Sequence, residues 1–232
     1  MTHNLEPFKQ QAAERALDGV ESGMRLGLGT GSTARYVVEG LAARLRDGRL
    51  RDIVGVPTSE ATAKLAGSLG IPLATLDQQH ELDLVIDGAD EIDPQLNLIK
   101  GLGGALLREK IVASVGQRFC IVADTSKVVG RLGEHTPVPV EVISFGMRPV
   151  EQRLRALGCA PVLRRNASGL PFITDEGNSI LDCRFEQIDD PERLDADIHA
   201  IPGVVEHGLF IGMASVAFAA GLDGVTRLQR SR

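Results

Sequence analysis

The chain has 232 residues, 43% of them hydrophobic, enough to bury a sizeable core as one large domain or as a domain with a smaller companion. A formal net charge of −6, scattered basic residues and only 3% aromatics exclude a surface built on phosphate contacts and base stacking, so no nucleic-acid partner is expected. Three widely spaced cysteines, Cys120, Cys159 and Cys183, exclude a disulfide framework or a zinc knuckle and read as reduced packing residues.

In chain order, the opening "MTHNLEPFKQ" lacks the basic-then-apolar pattern of a signal, and a helix "PFKQQAAERALDGV" follows it. Through residue 125, apolar runs "MRLGLG", "DIVGVP", "PLATL", "DLVIDG" and "FCIVAD" alternate with helix-period segments "STARYVVEGLAARLRDG", "SEATAKLAGSLG" and "ALLREKIVASVG". That alternation predicts an α/β unit with a parallel sheet, and its polar residues gather where open sheets bind ligands, at the carboxyl ends of strands. From Gly133 the texture changes to "HTPVPVEVI", a helix "RPVEQRLRALG", a hairpin "PFITDEGNSILDCRF" turning at Glu176, Gly177 and Asn178, and a helix "DPERLDADIHAI". This predicts a small α+β unit over 133–206, between 1–132 and 207–232, with the apolar chain from Val204 onward returning to the first sheet. The reach "LFIGMASVAFAAGL" is too short and glycine-rich to span a bilayer, so a cytoplasmic protein without a membrane partner is expected.

Four stretches carry chemistry. "LGLGTGSTARYVV" sets Gly27, Gly29 and Gly31 between strand and helix with Thr30, Ser32 and Thr33 at the turn, an arrangement of N–H groups, hydroxyls and helix N-terminus suited to phosphate. The third glycine of a dinucleotide fingerprint falls at Ser32, and Asp47 sits in a helix-ending turn. The competing reading is an ordinary turn with Ser32 or Thr33 as helix cap. In "VIDGADEID", Asp87, Asp90, Glu91 and Asp93 crowd behind a strand, which suits acid/base work, a divalent cation, or simply a solvated turn. His3, His80, His135, His199 and His207 stand isolated in sequence and read as surface or packing residues, so no metal ligand set is expected.

Lys100 opens "KGLGGALLREK", where a lysine beside glycine amides at Gly101, Gly103 and Gly104 is able to neutralise an oxyanion or a phosphate. Turning the next helix by about 100° per residue sets Ala105, Leu106, Val112, Ala113 and Gly116 within about 60° of Glu109. Glu109 is therefore a lone carboxylate on an apolar face, raised toward a general-base pKa by burial, with Arg108 and Lys110 positioned to oppose the shift. A buried structural glutamate paired with a cation is the alternative. Lys127 in "VADTSKVV" offers a further cation to the same crevice.

The series "GLGTGSTA", "VPTSEAT", "DGADEID", "KGLGGALLREKIVAS", "ADTSK", "PVEV", "GNSILD" and "IPGVVEHGLF" resembles, in that order, ribose-5-phosphate isomerase of the A type. The resemblance implies a Rossmann-like parallel-sheet domain with a smaller inserted α+β, ferredoxin-like lid, assembled as a homodimer or a dimer of dimers. It implies a metal-free, cofactor-free isomerase of the pentose phosphate pathway that interconverts ribose 5-phosphate and ribulose 5-phosphate. Carried over residue by residue, it places substrate contacts at Thr30, Gly31, Ser32 and Thr33, at Asp87, Gly88, Ala89 and Asp90, at Lys100, Gly101, Leu102 and Gly103, and at Lys127. Glu109 becomes the proton acceptor, Asp87 the ring-opening group, and Lys100 with Asp90 the stabilisers of the enediolate. Leu102 stands where the family shows glycine, so a positive φ there would strain the loop. Lys9 matches a family lysine near the phosphate in plain surroundings.

Two other readings share the layout. A sugar-phosphate-sensing repressor domain would bring a helix-turn-helix, yet the first helix starts within ten residues of Met1. A coenzyme A transferase would use a glutamate as nucleophile, but it requires a larger chain and a coenzyme site that no motif supplies.

Overall fold

Strands and helices alternate along the chain and assemble three sheets in the computed structural model, which describes residues 4–230. The elements run α1 (Glu6–Leu17), β1 (Arg25–Leu28), α2 (Ser32–Arg46), β2 (Val54–Pro57), α3 (Glu60–Ser68), β3 (Leu84–Asp87), β4 (Glu91–Ile92), β5 (Leu98–Ile99), α4 (Leu106–Ser114) and β6 (Phe119–Asp124). They continue with β7 (Val138–Val142), α5 (Met147–Ala156), β8 (Cys159–Leu163), β9 (Ser179–Phe185), α6 (Pro191–His199), β10 (Val204–His207), β11 (Leu209–Phe210), β12 (Val216–Gly221) and β13 (Gly224–Leu228).

The largest sheet has the order β13-β12-β6-β3-β1-β2, parallel throughout except for the β12–β13 hairpin at its edge. Both faces are covered, and alternate residues serve opposite cores: Leu84 and Ile86 pack with Leu17, Leu41 and Val122, whereas Val85 packs with Val112, Ile121 and Phe210. Strands buried on two faces need continuous hydrophobes, and β3 and β6 are buried at every position. Asp87 and Asp124, the last residues of those strands, are carried into the interior with them.

The second sheet, order β10-β7-β9-β8, is antiparallel and belongs to a β-α-β-β-α-β run, the ferredoxin-like arrangement. Val138, Val140 and Val142 line one face of β7 and pack on Val150 and Leu154 of α5. A third, three-stranded sheet of β11, β5 and β4 joins the two larger ones. All three cysteines are buried free thiols, and no helix of the described residues is long and apolar enough to cross a membrane.

Three expectations change. "PLATL" makes only an isolated bridge at Leu73, because Pro72 brings no N–H and the chain turns away after Ala74 donates to Gly55. The expected hairpin supplies one strand, β9; its first limb makes two isolated bridges, and the second strand is β8 instead. Pro161 masks β8 in the sequence but is tolerated because β8 lies at the sheet edge. Val204–His207 pairs with β7 in the small sheet, and only β12 and β13 return to the large one.

Candidate active site

Loops at the carboxyl ends of β1, β3 and β6 converge with the Lys100–Gly103 loop on a cavity of 220 Å³. Twelve of the expected residues line it: Thr30, Gly31, Ser32, Thr33, Gly88, Ala89, Asp90, Lys100, Gly101, Gly103, Glu109 and Lys127. The helix α2 begins at Gly31 without any side-chain cap, so the cap reading for Ser32 or Thr33 gives way to open N–H groups at a positive dipole end. Gly29 is demanded by close approach, since a Cβ there would stand 2.1 Å from Asp87 Oδ1. Thr30 is fixed by its N–H to Asp87 Oδ1 (3.0 Å) and by hydroxyl contacts to Thr58 (2.7 Å) and Ser59 (2.8 Å).

At the centre lies a buried triad of charges. Lys100 Nζ donates to Asp87 Oδ2 (2.9 Å) and to the Gly88 carbonyl (2.6 Å), and lies 3.2 Å from Glu109 Oε2. Asp87 itself is 1% exposed and sits beneath the cavity without lining it. Burial would strip the charge from Lys100, but Asp87 and Glu109 outweigh it and hold the ammonium above its usual range. Burial likewise pushes both carboxyls up, with Lys100 pulling each back. Asp87 accepts from three donors, whereas Glu109 Oε2 accepts no hydrogen bond from the described residues. The negative charge therefore rests on Asp87, and Glu109 keeps its proton up to about pH 8.

The opposing cation differs from expectation. Arg108 turns to Glu60 (2.8 Å) and Glu176, and Lys110 to Glu206 (2.6 Å), because neighbours on a helix point about 100° apart. The carboxylate crowd also divides. Glu91 accepts the N–H groups of Gly133, His135 and Thr136, and Asp93 those of Gln95 and Asn97, so both are turn anchors, while Asp90 lines the cavity and Asp87 lies beneath it against Lys100. Asp90 Oδ2 accepts the Leu102 N–H at 2.9 Å. Leu102 escapes strain because the positive φ values fall on Gly101 (97°) and Gly104 (86°); its side chain faces out and does not line the cavity.

Lys9, Asp124, Ser126 and Leu5 also line the cavity. Lys9 had only the family resemblance to mark it. Asp124 had a signal in its place at the end of "FCIVAD"; it accepts the Ser126 N–H at 3.0 Å, while its Oδ2 has no partner among the described residues.

The histidines divide as well. His80 and His135 are exposed, and His3 lies outside the described residues. His199 and His207, isolated in sequence, meet at 2.9 Å, with Asp195 close to both. Leu209 N–H donates to His207 Nδ1 (3.3 Å), leaving Nε2 to donate to His199 Nδ1, whose Nε2 lies 3.0 Å from Glu206. Burial first, then Lys110 and His199, push His207 down to about 2, so the buried His207 imidazole is neutral and held by hydrogen bonds within the protein.

With this geometry in place, comparisons with known proteins are specific. The sequence profile described as "Ribose 5-phosphate isomerase A (phosphoriboisomerase A)" matches residues 54–224. The ribose-5-phosphate isomerase A of Roseiflexus sp. (strain RS-1) is 65% identical over 228 residues, covering 98% of this chain and 97% of that one. That of Synechococcus sp. (strain JA-3-3Ab) is 54% identical over 229 residues, covering 98% and 99%. Among solved structures, a D-ribose-5-phosphate isomerase in complex with phospho-erythronic acid superposes with a TM-score of 0.96 at 41% identity, covering 98% of this chain and all of that one. The ribose 5-phosphate isomerase from Plasmodium falciparum gives 0.94 at 42%, with the same coverage.

Proposed function

The chain belongs to the ribose-5-phosphate isomerase A family, metal-independent enzymes that interconvert ribose 5-phosphate and ribulose 5-phosphate in the pentose phosphate pathway, and from that membership we propose how its own residues divide the work. The carrying observation is the buried Glu109–Lys100–Asp87 group opening onto the cavity that also holds the α2 N-terminus and Lys127. Glu109 takes the proton from carbon 2, the electron pair forms the carbon 1–carbon 2 double bond, and charge develops on the aldehyde oxygen. Glu109 then delivers the proton to carbon 1 while the hydroxyl proton of oxygen 2 passes to oxygen 1. Lys100 and Asp90 stabilise and relay at those oxygens, and the Gly101–Gly103 loop brings N–H groups beside them. Asp87, which does not reach the cavity, serves ring opening through Lys100 Nζ, its hydrogen-bonded neighbour.

The phosphate falls to Thr30, Gly31, Ser32, Thr33 and Lys127, with Lys9 beside them. Phospho-erythronic acid, held by the solved relative, joins a carboxylate to a phosphate, the two kinds of anionic centre these groups suit. Residues 1–132 with 207–232 form the catalytic unit, and 133–206 the lid. The protein acts in the cytoplasm as a homodimer or dimer of dimers, with no nucleic acid, membrane or cofactor.

Two results test this. Lys127→Ala is expected to raise KM about tenfold and to weaken inhibition by inorganic phosphate equally, with kcat little changed, because a phosphate contact is made in ground and transition states alike. A collapsed kcat at constant KM would move Lys127 into the chemistry. Because the base must be deprotonated, kcat/KM should climb with pH and level off above about 8. A profile flat from pH 6 to 9 would contradict the assignment.

A further inference from the structure

The lid sends one guanidinium into the back of the catalytic loop. Arg164, just past β8, places Nη1 2.8 Å from the Gly101 carbonyl and 3.0 Å from the Leu102 carbonyl. Its Nε donates to Asp182 Oδ2 of β9 at 2.9 Å, and Nη2 to Oδ1, a bidentate pair that fixes the guanidinium plane. The Arg164 side chain is 10% exposed and that of Asp182 24%, so the pair is part-buried. Phe172, on the same excursion of the lid, fits against Gly104, where a Cβ would stand 2.3 Å from its ring.

In a trans peptide the N–H points opposite to the C=O. With the Gly101 carbonyl drawn back to Arg164, the Leu102 N–H must face the other way, and it does, donating to Asp90 Oδ2 at 2.9 Å. With the Leu102 carbonyl drawn back by the same Nη1, the Gly103 N–H faces forward. Gly103 lines the cavity, and its N–H has no protein acceptor among the described residues. Two consecutive peptides are thus pinned from behind by a cation, with Asp90 and an open donor in front. A charge on the carbonyl side also polarises each amide, strengthening its N–H as a donor.

We propose that Arg164, held by Asp182, is a positioning residue for the isomerisation: through the Gly101 and Leu102 carbonyls it aims the Gly103 N–H at the developing enediolate oxygen and sets the Asp90 carboxylate. Nothing in its own place touches substrate. The effect falls on the transition state, where the oxygen carries most charge, and not on the phosphate, whose contacts lie in other loops. The inference rests on the assignment of this loop to the enediolate oxygens.

Arg164→Ala should lower kcat on the order of 10–100-fold, less than outright removal of an oxyanion donor, while the inhibition constant of inorganic phosphate stays within about twofold of wild type. Guanidinium ion in the assay should restore part of that kcat. Arg164→Lys, able to reach one carbonyl, and Asp182→Asn, which loosens the fork, should give smaller losses in the same direction. Unchanged kcat in these variants would overturn the proposal, as would equal loss of turnover and phosphate inhibition in the mild Lys and Asn variants, which marks a merely structural role. Glu109→Gln separates the two levels: if it abolishes exchange at carbon 2 while the Arg164 variants keep full kcat, only the positioning inference falls. If Glu109→Gln keeps wild-type exchange, the site assignment beneath it falls too.

Discussion

Glu109→Gln is expected to cut kcat by roughly 10²–10⁴-fold, on the order of 3–5 kcal/mol of transition-state stabilisation, with affinity for inorganic phosphate retained. The substitution is nearly isosteric and keeps a polar group beside Lys100, so it removes the proton acceptor without opening a cavity. The direct readout is exchange of the carbon 2 proton of ribose 5-phosphate with solvent deuterium, which should nearly vanish. Wild-type exchange would reassign the base, with Asp87 acting through Lys100 as next candidate. Stability supplies an independent check. The folded Glu109 carboxyl titrates near 8, above its ordinary value of 4.5, so its proton is favoured in the fold and wild-type stability declines as pH rises between those values. Glutamine has no such decline. The variant should therefore gain on wild type across that interval and equal or exceed it at pH 8 and above; a variant that unfolds would instead make Glu109 an obligatory structural partner of Lys100.

Lys100→Met is expected to abolish turnover and to cost about 3–5 kcal/mol of folding stability at neutral pH, because it leaves Asp87 buried without its counter-charge. Lys100 is 2% exposed and its ammonium lies 5.4 Å from the centre of the Phe210 ring, so water does not replace it readily. The sign with pH is definite. In wild type the folded ammonium lies above its ordinary 10.5, so its stabilisation is complete below that value and fades only as pH rises through the folded one. In the variant Asp87 takes up a proton as pH falls, so the deficit against wild type should shrink from pH 8 to pH 5. Urea unfolding at both values measures it, and Lys100→Met with Asp87→Asn should recover most of the stability. A single-variant loss under about 1 kcal/mol would show that the buried pair is not what holds this loop.

Much of the site was legible because it follows from local periodicity. A carboxylate on an apolar helical face is buried wherever that helix packs, so Glu109 could be singled out from "ALLREKIVAS" alone. A polar residue ending an apolar strand is carried to the carboxyl end of the sheet, which marked Asp87 and the Thr30 loop. The partner of Glu109 was not legible. Arg108 and Lys110 are adjacent in sequence but lie on other faces, while Lys100 reaches Glu109 from a loop whose path depends on Gly101 and Gly104. Likewise "DGADEID" shows four carboxylates, and only the approach of the 133–136 backbone decides that Glu91 is an anchor.

By itself, then, the sequence determined the alternation of strands and helices, the glycine- and hydroxyl-rich turn after β1, the glycine-flanked lysine and the lone buried glutamate, since each rests on side-chain periodicity or backbone freedom within a few residues. Tertiary structure alone decided that Val204–His207 joins the small sheet, that His199 and His207 touch, and that Arg164 stands behind the Lys100–Gly103 loop, 62 residues away from Leu102. Those contacts join segments with no common local pattern, and their geometry is fixed by how the sheets pack, so charge pairing across the site emerges only when the whole chain has folded.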